Sequence, residues 1–159
     1  MSGAIAVLVD DSRWRKAVPD VERLCRRFAQ AALPLSGVQG ALCIALADDR
    51  AAHALNRRFR GIDKPTNVLS FPARDMDTAD EALGDILIAF ETSAREAKAD
   101  RIALGDHLAH LVVHGALHLR GYDHECAADA EIMETLETEL LARLGVADPY
   151  AVPASGSPR

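Results

Sequence analysis

Residues 114–124 read HGALHLRGYDH and gather three of the chain's six histidines. Side chains four apart share a helix face, so His114 and His118 can aim both imidazoles at one point. Gly121 can supply the left-handed turn that ends such a helix, after which Tyr122 and Asp123 bring His124 back toward the pair. Three neutral nitrogen ligands with a fourth position open form the donor set of a catalytic zinc, one ion per chain. Nickel and cobalt suit the same set. His107 and His110 lie on the same face. A ligand string of His110, His114 and His118 would spread over roughly 12 Å of helix. His107 and His110 are therefore assigned to hydrogen bonding or packing.

The residue after the first histidine is Gly115, where the metalloprotease motif His-Glu-x-x-His carries its general base. Glycine cannot move a proton. Within a helix it also costs about 1 kcal/mol relative to alanine, so its presence implies close approach by a neighbouring backbone or a substrate. Asp123 can accept an imidazole N–H or stabilise its own turn, and the two roles are compatible. Glu125 suits the first turn of the final helix better than a base near the metal. Cys126 reads as a half-buried thiol rather than a ligand, and Cys25 and Cys43 as small core residues.

The elements that must position these side chains follow from periodicity. Strands are expected at 4–9, 41–47, 67–71 and 84–91, and helices near 19–32, from Asp48-Asp49 to Arg60-Gly61, and at 91–99, 103–119 and 129–144. In the last helix Ile132, Met133, Leu136, Leu140 and Leu144 define the apolar face, and Gly145 ends it. Strands mixed with helices, then helices alone, imply an α+β fold. A small mixed sheet packs with helices, and the metal site lies on a helix of the C-terminal half and the turn after it. One domain spans 1–147; the loop 72–83 is expected to be mobile and the tail 148–159 flexible.

Composition narrows the class. No run of the 159 residues is long and apolar enough for a membrane span, and three cysteines form no even framework. A soluble, cytoplasmic protein is expected. The net charge of −6 argues against a general nucleic-acid coat, yet residues 1–74 hold 12 Lys and Arg against 7 Asp and Glu, while residues 75–159 hold 6 against 17. A basic half can steer phosphates while the acidic half serves elsewhere.

Three separated blocks, 55-LNRRFRGIDKPTNVLSFP-72, 83-LGDILIA-89 and 114-HGALHLRGYDH-124, resemble the YbeY family of bacterial endoribonucleases. The last matches the signature His-Gly-x-Leu-His-Leu-x-Gly-Tyr-Asp-His at every fixed position. The resemblance implies a zinc-dependent, single-strand-specific endoribonuclease that matures the 3′ end of small-subunit ribosomal RNA and takes part in ribosome quality control. Its partners would be single-stranded RNA, ribosomal RNA and the small ribosomal subunit. It also implies that His114, His118 and His124 hold the zinc, and that Arg60 and His114 are catalytic.

A guanidinium suits the charge that develops during phosphodiester cleavage, which fits Arg60, with Arg57, Arg58 and Lys64 as steering charges. The family's common aspartate is here Asn67, which cannot transfer a proton. Ser70 and Phe71 end a strand, with Phe71 expected in the core. Two other functions compete with the nuclease: a ribosome-assembly factor with mainly structural zinc, and a metallopeptidase, which the absence of a glutamate at position 115 disfavours.

Overall fold

A computed structural model describes residues 5–33, 41–61, 66–72, 82–119 and 127–146. Their order is β1 (Ile5–Val9), α1 (Arg13–Ala17), α2 (Val21–Ala32), β2 (Ala41–Ala47), α3 (Asp49–Arg60), β3 (Val68–Pro72), β4 (Ala82–Ala89), α4 (Phe90–Asp100), α5 (Leu104–Leu119) and α6 (Ala127–Arg143). The four strands form one mixed sheet in the order β1-β2-β4-β3, parallel except for the antiparallel pair β3 and β4. The expected α+β fold is the one observed. The tail 148–159, most of the loop 72–83, and the turn carrying Gly121, Asp123, His124, Glu125 and Cys126 lie outside the described residues. No described helix is long and apolar enough to cross a membrane.

The sheet buries both faces, and strand alternation sorts its residues between them. Val7, Leu42, Ile44, Leu46, Ile86 and Ile88 point into the larger core, shared with α2, α5 and α6. Leu69, Phe71 and Leu87 point the other way, onto Ala52 and Leu55 of α3. The central helix α5 packs against α2, α4, α6, β3 and β4. Burial on so many sides explains its nearly continuous apolar sequence.

An additional helix, the end of β4 and the orientation of α6 depart from expectation. The short helix α1 is additional; it exists to seat Trp14, which is wholly buried, donates to the Ala47 carbonyl at 3.0 Å and meets the Phe90 ring edge-on at 5.1 Å. The strand expected to run to Glu91 stops at Ala89, because the start of α4 is tied to the start of α3. Thr92 N and Oγ1 donate to the Asp49 carboxylate at 2.9 and 2.8 Å, and Asp49 N donates to Glu91 Oε1 at 2.9 Å. These bonds satisfy backbone donors that a helix terminus leaves open. The apolar face of α6 is also rotated: Ile132 is 52% exposed, whereas Met133, Glu137 and Leu141 are sealed.

The limits of α3 are as expected. Asp48 caps it by accepting from Ala51 N at 2.9 Å, and Gly61 closes it with φ 69°, a left-handed conformation that glycine adopts without strain. Cys25 is a core residue whose thiol burial pushes up to about 12, and Cys43 is half-buried.

Gly115 marks a close approach of α5 to the sheet. A Cβ there would stand 3.1 Å from Ile86 side-chain carbons and 3.1 Å from Ser70 Oγ, and Ser70 Oγ donates to the Gly115 carbonyl at 3.3 Å. Gly115→Val should therefore overpack this contact and lower stability by about 1–3 kcal/mol. Gly115→Ala should stay within about 1 kcal/mol of wild type, since the gain in helix propensity offsets the tighter contact. Urea unfolding followed by Trp14 fluorescence measures both.

Candidate metal centre

Four histidines line one stripe of α5. His107 is buried, and His110, His114 and His118 are half-buried. Consecutive rings meet edge to face, at 6.3 Å for His107 and His110, 6.2 Å for His110 and His114, and 4.8 Å for His114 and His118. His110–His114 and His114–His118 are both four apart on the helical repeat, and the second pair is the closer. His114 and His118 are thus brought together. His124, the third expected ligand, lies outside the described residues.

The deepest acidic group of the site is Glu137 on α6, whose side chain is wholly buried. Its carboxylate spans two histidines, with Oε1 2.5 Å from His114 Nδ1 and Oε2 3.3 Å from His110 Nε2. His110, His114 and Glu137 place ligand atoms within 4.8 Å of one another, close enough to hold a metal ion. Periodicity in α6 missed Glu137 because a carboxylate breaks an apolar face. The signal was the spacing Met133, Glu137, Leu141, in which an acid occupies the middle of an i, i+4, i+8 apolar row. A carboxylate taken out of water needs hydrogen-bond partners, so burial at that position points to polar groups opposite it.

The upper end of the stripe is built differently. Glu96 of α4 accepts from Asn67 Nδ2 at 2.9 Å through Oε1, the same oxygen that lies 3.0 Å from His107 Nε2. Asn67 therefore ties the start of β3 to α4 and α5. Both His107 and His110 engage carboxylates, in keeping with the hydrogen-bonding role expected of them, although His110 also belongs to the cluster that could hold an ion.

The arginine-bearing end of α3 reaches the same end of the sheet from its opposite face. Phe59 meets the buried Phe71 at 5.5 Å, while the next residue back along β3, Ser70, touches Gly115 of α5. Alternation along β3 thus sets the last turn of α3 and the histidine end of α5 at one level, with the edge strand between them. Arg57 and Arg58 are exposed, and the Arg58 guanidinium stands 5.1 Å from the Phe59 ring centroid. Arg60 is the last residue of α3; its side chain, like Lys64, lies outside the described atoms. On this same face Asp85 is paired in register with Phe71, and burial raises its carboxyl above the ordinary range.

A family model described as endoribonuclease YbeY matches residues 8–145. The endoribonuclease YbeY of Azorhizobium caulinodans is 48% identical over 158 residues, covering 96% of this chain and 99% of that protein. That of a Bradyrhizobium species is 51% identical, covering 91% of this chain and 90% of its own. A Thermotoga maritima protein with a solution structure shares the fold at a TM-score of 0.54 and 22% identity, covering 92% of this chain and 99% of that one.

The Glu96 bridge and the Glu137 bridge should separate experimentally. Glu96→Ala leaves buried His107 without its carboxylate and is expected to lower unfolding free energy by about 1–3 kcal/mol, while leaving the metal content of the purified protein unchanged. Denaturant unfolding paired with metal analysis of the purified variant provides the check.

Proposed function

The chain belongs to the endoribonuclease YbeY family, and on that premise we propose that it is a zinc-dependent, single-strand-specific endoribonuclease. It acts in the cytoplasm on ribosomal RNA at the small subunit, maturing the 3′ end and contributing to ribosome quality control. The observation that carries this reading is the His114 and His118 pair, 4.8 Å apart between ring centroids near the end of α5, with Nδ1 of His114 against a buried carboxylate.

That donor set fits a divalent ion that prefers nitrogen ligands: two imidazoles on one face, one of them oriented by an outer carboxylate. His114, His118 and His124 would hold one zinc ion. When bound, zinc supplies a Lewis acid that polarises a phosphoryl oxygen and acidifies water, which suits a site whose position 115 is glycine rather than a base.

The other residues bind and orient. Arg60, at the C-terminal end of α3, offers a planar fork for the phosphate oxygens on which charge develops. Arg57 and Arg58, exposed on the same turn, attract the RNA backbone. β3 keeps the two ends in register through Phe71 on one face and Ser70 on the other.

The test is cleavage of a labelled single-stranded RNA carrying a small-subunit 3′ end, with all variants purified identically. Wild type should cut, a chelator should stop it, and His118→Ala should be inactive. Arg60→Ala should lose about 10²–10³-fold in rate with its zinc content unchanged, the loss typical of removing one charge-stabilising donor. Equal cutting by wild type and His118→Ala would defeat the reading. A folded, zinc-loaded wild type that cuts nothing would favour the assembly factor.

A further inference from the structure

We propose that Glu137 is a positioning residue for the metal: its buried carboxylate holds His114 in one tautomer and one ring orientation, and His110 holds the carboxylate. The inference rests on His114 being a metal ligand, as proposed above.

An ionised carboxylate only accepts hydrogen bonds, so each ring nitrogen facing Glu137 donates. Nδ1 of His114 then carries its proton toward Oε1 at 2.5 Å, and the lone pair falls on Nε2, at the opposite edge of the ring. Nε2 is the nitrogen this arrangement turns toward an ion. His110 Nε2 donates to the other oxygen at 3.3 Å, so the two carboxylate oxygens are held from two successive turns of α5. Glu137 cannot swing away without breaking both bonds.

The alternative is that Glu137 is itself a ligand beside His110 and His114. Distance opposes it. Two donors on one tetrahedral zinc, each about 2.0–2.1 Å from the ion, lie roughly 3.3 Å apart. Glu137 Oε1 and His114 Nδ1 are 2.5 Å apart, the distance of a charge-assisted hydrogen bond and too short for these two atoms to be ligands of one ion. Carboxylates that accept from a metal-bound histidine fix its tautomer and raise its basicity, and losing one costs about 10–100-fold in metal affinity.

Glu137→Met, Glu137→Gln and His118→Ala would be compared with wild type in the full chain. Methionine fills the space with an apolar side chain but removes only one side of the bridge, so the two imidazoles lose their acceptor. The His110 and His114 side chains are 17% and 23% exposed, which gives their N–H groups a path to water. Folding is read from Trp14 fluorescence in denaturant. Zinc affinity is read by competition with a chromophoric chelator, and coordination by the visible spectrum of the cobalt-loaded protein.

The proposal expects Glu137→Met to remain folded, though less stable than wild type, and to bind zinc about 10–100-fold more weakly. Glu137→Gln, which keeps one acceptor, should fall between, with cobalt bands at the wild-type positions. Zinc affinity within twofold of wild type in Glu137→Met would overturn it, as would shifted cobalt bands in Glu137→Gln, which would make Glu137 a ligand. Should wild type bind no zinc, or His118→Ala bind it equally well, the metal assignment itself fails and the role of Glu137 with it.

Discussion

A helix enclosed by a sheet and three other helices must find a hydrogen-bond partner for every imidazole it carries. On α5 that requirement falls on four histidines in one stripe, and carboxylates from two different helices answer it for three of them: Glu96 of α4 at His107, Glu137 of α6 at His110 and His114. Leaving such a group unpaired in the interior would cost about 1–3 kcal/mol. The placement of α4 and α6 against α5 is therefore set by polar satisfaction as well as by apolar packing. His118, in the last turn, completes the pair from which a metal site can be built.

The same helix must also approach the sheet closely at the turn that carries His114. Gly115 permits this, since Ile86 and Ser70 fill the space where a side chain would stand. The turn that carries the neighbouring histidine is thereby held through Gly115 against Ser70 of a strand whose next residue, Phe71, packs on the far face against Phe59. One edge strand consequently registers the two helix ends of the proposed site, which lie 54 residues apart in sequence, counted from Arg60 to His114. This arrangement keeps a basic helix end and a nitrogen-ligand site at one end of the sheet, although the helices bearing them lie on opposite faces.

Much of the architecture was legible from local pattern. Strand alternation and helical spacing located all four strands and the five long helices, and Asp48 and Gly61 marked the limits of α3 because capping and left-handed closure are local events. The short helix α1 was not legible, because its reason is a long-range contact of Trp14 with Ala47 and Phe90. Nor was the end of β4: alternation continues through Phe90, and only the bonds between Asp49, Glu91 and Thr92 turn the chain there.

For the candidate site, sequence alone placed His114 on one face with His110 and His118, since the helical repeat does so for residues four apart wherever the helix goes, and the structure decided that His118 is the closer ring. Sequence also marked Gly115 as a point of close approach, because glycine inside a helix needs a steric reason. Tertiary structure alone decided what each imidazole faces. Glu137 joins the site from 23 residues beyond His114, on a helix whose rotation depends on packing, and no local period encodes which acid of an acidic segment will be the buried one. Burial and partnership are properties of two elements in contact, and a single element's sequence specifies only the face it can present.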